Sequence, residues 1–293
     1  MTGVTQEVFK HIRRIEIATT RLADDIMVGA YHSAFKGRGM EFEEVRDYVP
    51  GDDVRTIDWN VTARMNDPHI KTYREERELT VMLVVDISAS SRFGTGNQTK
   101  GELIAEIAAV LAFSAIKNND KVGLLLFSED IEEYLPPKKG LRHVLRVIRD
   151  LLVFNPKKQG SNLKSALNFL GKVQRKKCVC FLISDFILEL CPHEIAVTAK
   201  RHDLISICVA DDVEHHLPKI GLASLRDLET GEIRIVDTSS FKVMSEVEKN
   251  FDGRVAKVKN LMTKTGSGYV FLKTNESYAE PLRQFFSMRR VKY

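Results

Sequence analysis

An α/β fold with a doubly wound, mostly parallel sheet is predicted by the alternation of apolar strands and amphipathic helices after residue 80. The first strand, Val81–Val85, is a continuous apolar run of the kind that lies buried inside a parallel sheet. The chain then turns abruptly polar at Asp86, Ser88 and Ser90. Because ligands bind at the carboxyl ends of strands in open α/β sheets, these three side chains mark the expected site.

Length and composition are those of a soluble globular protein. The 293 residues suffice for one large or two small domains, and 43% of them are apolar and 29% charged. The 44 basic residues nearly balance the 40 acidic ones, so no nucleic-acid partner is expected. No apolar run is as long as a membrane span and no signal peptide is recognisable, which predicts a cytoplasmic protein without stable membrane insertion. Four cysteines without C-x-x-C spacing predict buried, reduced thiols.

The first part of the chain, residues 1–79, is predicted to combine an N-terminal helix with a small β-rich element. An apolar stripe predicts the helix over residues 5–30. Residues 36–78 contain a strong turn signal at Pro50–Asp53, among several arginines and aspartates that predict an ion-paired hairpin. Trp59 is predicted to be a packing anchor. Residues 80–293 form the predicted second domain.

Strands and helices alternate through this second domain. The predicted strands are Val81–Val85, Val122–Phe127, Ile131–Tyr134, Cys178–Ile183, Leu204–Val209 and Gly268–Leu272, with a β-hairpin between Leu222 and Val236. The predicted helices are Glu102–Lys117, Leu141–Leu152, a helix from Ser161 to Leu170, Glu194–Arg201, Phe241–Thr263 and Tyr278–Arg289. The sequence has neither a G-x-G-x-x-G after the first strand nor a P-loop, which argues against a nucleotide site.

The D-x-S-x-S string of Asp86, Ser88 and Ser90 resembles the metal-ion-dependent adhesion site of the von Willebrand factor A family. One carboxylate and two hydroxyls are hard oxygen ligands, which suit Mg²⁺ or Mn²⁺ and not zinc. A strand end whose Asp and Ser side chains only cap the following helix is the alternative.

A longer signature makes the resemblance more specific. The pattern G-x-G-x-x-F-x-x-x-R-x-Y-x-P-G-D-D-x-R-x-I-D-W runs from Gly37 to Trp59 and is followed by Ala63 and Arg64. With the later D-x-S-x-S strand end, it resembles the bacterial family named domain of unknown function 58. That resemblance implies a von Willebrand factor A-like fold. It also implies a MoxR-type AAA+ ATPase as partner, since genes for such ATPases commonly neighbour those of the family.

The same resemblance implies the rest of a metal site. A loop threonine and a later aspartate complete the von Willebrand factor A pattern, and Ser161 and Asp185 stand at those positions, with serine replacing threonine. The expected ligands are therefore Asp86, Ser88, Ser90, Ser161 and Asp185, with Asn162 as a weaker candidate. One coordination position would be left for an acidic side chain of a partner. The stretch from Asp211 to His216 is interpreted as a solvated loop.

The expected function is a non-enzymatic, metal-dependent interaction module that presents a client protein to a MoxR-type ATPase. Two alternatives stay open. Asp86 and Asp185 would also suit a Mg²⁺- or Mn²⁺-dependent phosphoester hydrolase. A metal-free interaction protein would instead bind through residues 36–78 and the N-terminal helix.

Overall fold

The computed structural model describes residues 41–65, 67–74, 78–96, 98–156, 158–228 and 231–290. The helix predicted over residues 5–30 lies outside these described residues. The described chain divides into two compact units, one ending at Glu78 and one beginning at Leu79, and each is considered by itself.

The smaller unit is built on an antiparallel pair of strands, β1 (Glu41–Asp47) and β2 (His69–Arg74), with a short helix α1 (Trp59–Met65) between them. Both guanidinium amino groups of Arg46 donate to the two carboxylate oxygens of Asp52 at 2.9 Å. The predicted ion-paired hairpin is therefore confirmed. The prediction for Trp59 is wrong: its side chain is 69% exposed, because it begins a helix in which no residue is buried.

The larger unit contains a six-stranded sheet. Its strands are β3 (Thr80–Asp86), β4 (Lys121–Phe127), β5 (Ile131–Lys138), β6 (Val179–Ser184), β7 (Asp203–Ala210) and β10 (Gly268–Lys273). They lie in the order β10-β7-β6-β3-β4-β5, and all neighbouring pairs are parallel except β4 with β5. The predicted mostly parallel sheet is confirmed, with the strand predicted at Ile131 forming its antiparallel edge.

Helices cover both faces of this sheet. They are α2 (Lys100–Lys117), α3 (Leu141–Val153), α4 (Leu163–Val173), α5 (Pro192–Arg201), the single turn α6 (Asp212–His215), α7 (Phe241–Thr265) and α8 (Ala279–Arg290). Helices α4, α5 and α7 pack with Met82, Val84 and Leu182 in one buried cluster on one face. On the other face, the ring of Phe286 in α8 meets that of Phe181 edge-on at 6.3 Å. The doubly wound arrangement is therefore confirmed.

A second antiparallel hairpin stands apart from the main sheet. It consists of β8 (Leu222–Arg226) and β9 (Ile233–Asp237), as predicted. The four cysteines are free thiols, all buried. Within the part of the chain that the structure describes, no helix has the length and apolar character needed to cross a bilayer.

Candidate metal centre

The candidate site lies where the strand order of the large sheet reverses. From β3 the chain crosses to β4 on one side, whereas β6 lies on the other side of β3. In a doubly wound sheet the crevice beyond the carboxyl ends of two such strands is the usual ligand position. Asp86 ends β3 and Ser184 ends β6, so both side chains are placed at this crevice.

Asp86 is the centre of a set of oxygen atoms supplied by three segments. Its Oδ1 atom accepts a hydrogen bond from the Ser88 amide at 3.0 Å. Its Oδ2 atom accepts from the hydroxyls of Ser161 and Ser184, each at 2.8 Å. The hydroxyls of Ser88 and Ser90 lie 3.1 Å apart. Asp86 is 2% exposed, so these neutral groups provide its solvation in place of water.

Backbone hydrogen bonds hold the contributing loops together. The amide of Ala89, in the turn after β3, donates to the carbonyl of Gln159 at 3.0 Å. The amide of Asn162 donates to the carbonyl of Ser128, which follows β4, at 2.8 Å. These two bonds fix the loop before α4 against the ends of β3 and β4. Ser161 is consequently brought within reach of a residue 75 positions earlier in the chain.

Asp185 is bound to a buried lysine. The Lys100 ammonium lies 2.6 Å from Asp185 Oδ2 and also pairs with Glu214. Arg254 donates to the second oxygen of Glu214 at 3.0 Å. Asp185, Lys100, Glu214 and Arg254 therefore form a row of alternating charges, which we call the ion-pair row.

The two aspartates of the site have opposite pKa shifts. Burial, and then the negative charge of Asp185, raise the pKa of Asp86 to about 6. Burial is the largest single influence on Asp185 and acts to raise its pKa, but the charge of Lys100 and the hydrogen bonds from Lys100, the Ile187 amide and Ser90 together lower the pKa. Burial acts to lower the pKa of Lys100, and the charges of Asp185 and Glu214 together with their hydrogen bonds to the ammonium raise it. The negative charge of Asp185 is thus balanced by the adjacent Lys100 ammonium, whereas the described partners of Asp86 are neutral groups.

The structure brings all five predicted site residues into one cluster. We call Asp86, Ser88, Ser90, Ser161, Ser184 and Asp185 the oxygen cluster; Ser90 joins it through a hydrogen bond that lowers the pKa of Asp185. The weaker candidate, Asn162, does not join. Its side chain accepts from the Ser165 amide at 3.0 Å and caps α4.

Three functional groups are missed by the sequence prediction, one within the oxygen cluster and two beside it. Ser184 bonds Asp86, Lys100 bonds Asp185, and Glu214 bonds Lys100. The interpretation of residues 211–216 as a solvated loop is wrong, because Asp211 caps the helical turn α6 and is fully buried. The side chain of Glu214 is only 14% exposed, since it pairs inward with Lys100.

The oxygen cluster fits a hard divalent cation by its donor chemistry. It offers two carboxylates and four hydroxyls, and no nitrogen or sulfur ligand. Among the described residues no group of three or more His, Cys, Asp or Glu side chains is arranged to hold a metal, so any ion here would rely on the serine hydroxyls. With the ion-pair row included, three carboxylates face two cationic side chains, which leaves one negative charge unbalanced.

Another buried carboxylate, that of Asp211, holds together the loops around the site. Asp211 Oδ1 accepts from the Thr95 hydroxyl at 2.5 Å and from the Val213 amide at 3.0 Å. Its Oδ2 accepts from the Thr95 amide at 3.1 Å and from the Thr274 hydroxyl at 2.8 Å. Asp211 therefore links the loop after β3 to the ends of β7 and β10.

Asp211→Ala is expected to lower the free energy of unfolding by about 2 to 4 kcal/mol, because four donors lose their buried acceptor. Asp212→Ala is the matched control: Asp212 is 40% exposed and pairs with Lys273, so its loss should cost less than about 1 kcal/mol. Urea denaturation of the two variants measures the difference. Equal losses of unfolding free energy in the two variants would show that the hydrogen bonds to Asp211 do not stabilise the loops around the site.

Comparison with known proteins identifies the family. Residues 44–256 match the family model described as a protein of unknown function, DUF58. The chain belongs to the DUF58 family. The family predicted from the signature between Gly37 and Trp59 is therefore confirmed.

Relatives of this chain occur in Mycobacterium and Bacillus species. Protein Rv1480 of Mycobacterium tuberculosis is 28% identical over 286 residues, covering 95% of this chain and 89% of the relative. YeaD of Bacillus subtilis is 20% identical over 191 residues, covering 65% of this chain and 45% of YeaD.

Solved structures similar to this DUF58 chain include BatB from Bacteroides thetaiotaomicron, at 18% identity and a TM-score of 0.49, covering 73% of this chain and all of BatB (100%). They also include the SpRpn10 VWA domain, at 10% identity and a TM-score of 0.38, covering 74% of this chain and 96% of that domain.

Proposed function

We propose that this protein is a non-enzymatic, metal-dependent interaction module of the von Willebrand factor A type. Mg²⁺ or Mn²⁺ would be held by Asp86 and the hydroxyls of Ser88, Ser90 and Ser161, with Asp185 contributing directly or through water. The proposal rests on the burial and the hydrogen-bond partners of Asp86. It is a buried carboxylate that accepts hydrogen bonds only from neutral groups among the described residues, and the residues around it leave one negative charge unbalanced.

A bound divalent cation would neutralise this charge and offer a free coordination position to the carboxylate of another protein. Residues of this chain hold the Asp86 carboxylate in place by hydrogen bonds. Ser161 and Ser184 direct their hydroxyls at Asp86 Oδ2, and the Ser88 amide fixes Oδ1. Hydroxyls can rotate their hydrogen away and present a lone pair, so the same atoms serve the empty and the occupied site.

The hydrogen bonds of the cluster support a binding role over a hydrolytic one. A serine nucleophile is most often activated by a histidine within hydrogen-bond reach. The hydroxyls of Ser88 and Ser90 lie together, Ser161 donates to the carboxylate that the proposal assigns to the ion, and among the described residues no histidine bonds to Ser88 or Ser161. We therefore propose a binding role and name no catalytic residue.

The partner in this proposal is a MoxR-type AAA+ ATPase, to which the protein presents a client for remodelling or maturation. Membership of the DUF58 family supports this choice, because genes for such ATPases commonly neighbour those of the family. The coordination position left on the ion would take an acidic side chain of the ATPase or of the client.

Affinity capture from an extract of the native cells tests the proposal. Tagged wild type and Asp86→Ala are compared in Mg²⁺ and in EDTA, and AAA+ ATPases in the eluates are quantified by mass spectrometry. The wild type in Mg²⁺ is expected to retain at least about tenfold more ATPase than the other three samples, since loss of a direct ligand removes the ion. Asp150→Ala is the control, because it removes the same charge from a residue of α3 whose ion pairs, among the described residues, are with Arg146 and Arg149.

Each pattern of capture has a distinct meaning. Retention by wild type and Asp150→Ala in Mg²⁺ alone supports the whole proposal. Equal retention by all proteins in both buffers would keep the partner and move the interface away from Asp86. The absence of any ATPase from the wild-type eluate in Mg²⁺ would contradict the adaptor role.

A further inference from the structure

Lys100 occupies an unusual position for a charged side chain. It is the first residue of α2 and is 0% exposed. The N-terminus of a helix carries a partial positive charge, which disfavours a cation there, and burial disfavours the charged ammonium further. Both costs must be offset by specific anionic contacts.

Those contacts come from the candidate metal centre. The ammonium lies 2.6 Å from Asp185 Oδ2 and also pairs with Glu214. Glu214 is held in turn by Arg254, whose other amino group donates to the backbone carbonyl of Asp185 at 3.4 Å. The ion-pair row thus closes back on Asp185 and fixes the position of Lys100.

The two aspartates consequently differ in the partners of their oxygens. Asp185 Oδ1 accepts from the Ile187 amide at 3.1 Å, and its Oδ2 is bound to the Lys100 ammonium. Both oxygens of Asp185 are therefore engaged, one of them by a full positive charge. Asp86 Oδ2 instead accepts, among the described residues, from the hydroxyls of Ser161 and Ser184, which can rotate to admit an ion.

We propose that Lys100 is a built-in cation that keeps Asp185 out of direct coordination, so that a divalent metal is bound through Asp86 and the serine hydroxyls alone. Lys100 thereby sets the affinity of the centre. This inference rests on the proposed function for the existence of the metal site, and of the two contacts left open there for Asp185, direct or through water, it excludes the direct one. Fewer protein ligands leave more positions for water and for the carboxylate of a partner.

A double-mutant cycle on metal affinity tests the inference. Mn²⁺ is titrated calorimetrically into the full chain as wild type, Asp185→Asn, Lys100→Met and the double variant. Asp185→Asn should weaken Mn²⁺ binding by less than about fivefold in the wild type, because Asp185 is not a direct ligand, but by more than about tenfold in the Lys100→Met background, where it is free to become one. Lys100→Met alone should strengthen binding by about tenfold, since a neighbouring positive charge is removed.

Two further variants distinguish the effect of the Lys100–Asp185 contact from the effect of the protein's net charge. Lys273→Met removes a positive charge that pairs with Asp212 at 2.9 Å, and it should leave Mn²⁺ affinity within about twofold of wild type. Lys100→Met with Glu214→Gln keeps the net charge of the wild type but still frees Asp185, so it should bind Mn²⁺ more tightly than wild type. This charge-balanced variant also carries the test if Lys100→Met alone does not fold, as judged by circular dichroism.

The outcomes distinguish this inference from the proposed function. A loss of Mn²⁺ affinity in Asp185→Asn as large as in Asp86→Ala would overturn the inference and leave the metal-dependent module intact. Binding by the Lys100 variants but not by wild type would support the inference and remove metal dependence from the proposed function. Binding by none of these proteins would overturn both.

Discussion

In metal-free buffer at pH 7.5, Asp86→Asn is expected to be more stable than the wild type by about 3 kcal/mol. The pKa of Asp86 is raised from 3.8 to about 6, first by burial and then by the charge of Asp185. A shift of about two pKa units corresponds to about 3 kcal/mol of penalty on the ionised form. Asparagine has the same shape without the charge, and the hydroxyls of Ser161 and Ser184 can rotate to accept from its amide.

The sign of the pH dependence follows from this raised pKa. Because the folded pKa of Asp86 exceeds the unfolded one, its contribution to stability is fully present below about pH 4 and is lost as the pH rises through about 6. The advantage of Asp86→Asn over the wild type should therefore be near zero at pH 4 and should grow to its full size above pH 6. Urea denaturation in EDTA across this range measures the difference, in which the contributions of carboxylates that do not interact with Asp86 cancel.

A control variant and the addition of Mg²⁺ test this prediction further. Asp185→Asn should have the opposite effect and destabilise the protein, because it deprives Lys100 of one of the two carboxylates that pair with it. Saturating Mg²⁺ should stabilise the wild type and not Asp86→Asn, since only the wild type retains the ligand. If Asp86→Asn is less stable than wild type in EDTA at pH 7.5, the carboxylate stabilises the fold by accepting hydrogen bonds, and its buried charge is not destabilising.

The backbone of the site was predictable because it depends on local patterns. The apolar run of β3 and its polar end are visible in the sequence, and parallel pairing with β6 then dictates that the ends of the two strands meet. Asp86, Ser88 and Ser90 follow from the strand alone. Asp185 stands at the end of the predicted strand Cys178–Ile183, but its place in a metal site, like that of Ser161, followed from resemblance to a family pattern.

Side chains that pair across the fold were not predictable in the same way. The sequence predicts that the helix begins at Glu102, which leaves Lys100 outside it. In the structure α2 begins at Lys100. The capping box formed by Thr99 and Glu102 is the local signal that would have placed Lys100 in the first turn. No comparable signal exists for Glu214, since its burial results from pairing with a residue 114 positions away.

Loss of the Lys100 ammonium is expected to cause the largest destabilisation of any single substitution at the site. Lys100→Met should lower the free energy of unfolding in EDTA by about 3 to 5 kcal/mol, because it leaves the buried carboxylates of Asp185 and Glu214 with Arg254 as their remaining cationic neighbour in the ion-pair row. Methionine fills a similar volume, so the loss would report charge and not a cavity. Lys273→Met, on a partly exposed pair, should cost less than about 1 kcal/mol.

Two comparisons show whether that loss arises from unpaired charge. Adding Glu214→Gln to Lys100→Met should recover a substantial part of the stability, because one of the two stranded carboxylates becomes neutral. Saturating Mg²⁺ should stabilise Lys100→Met more than it stabilises the wild type, since the ion would then bind a centre with an additional free carboxylate. Equal unfolding free energies for Lys100→Met with and without Glu214→Gln, measured by urea denaturation in EDTA, would attribute the loss to packing and contradict the electrostatic role of Lys100.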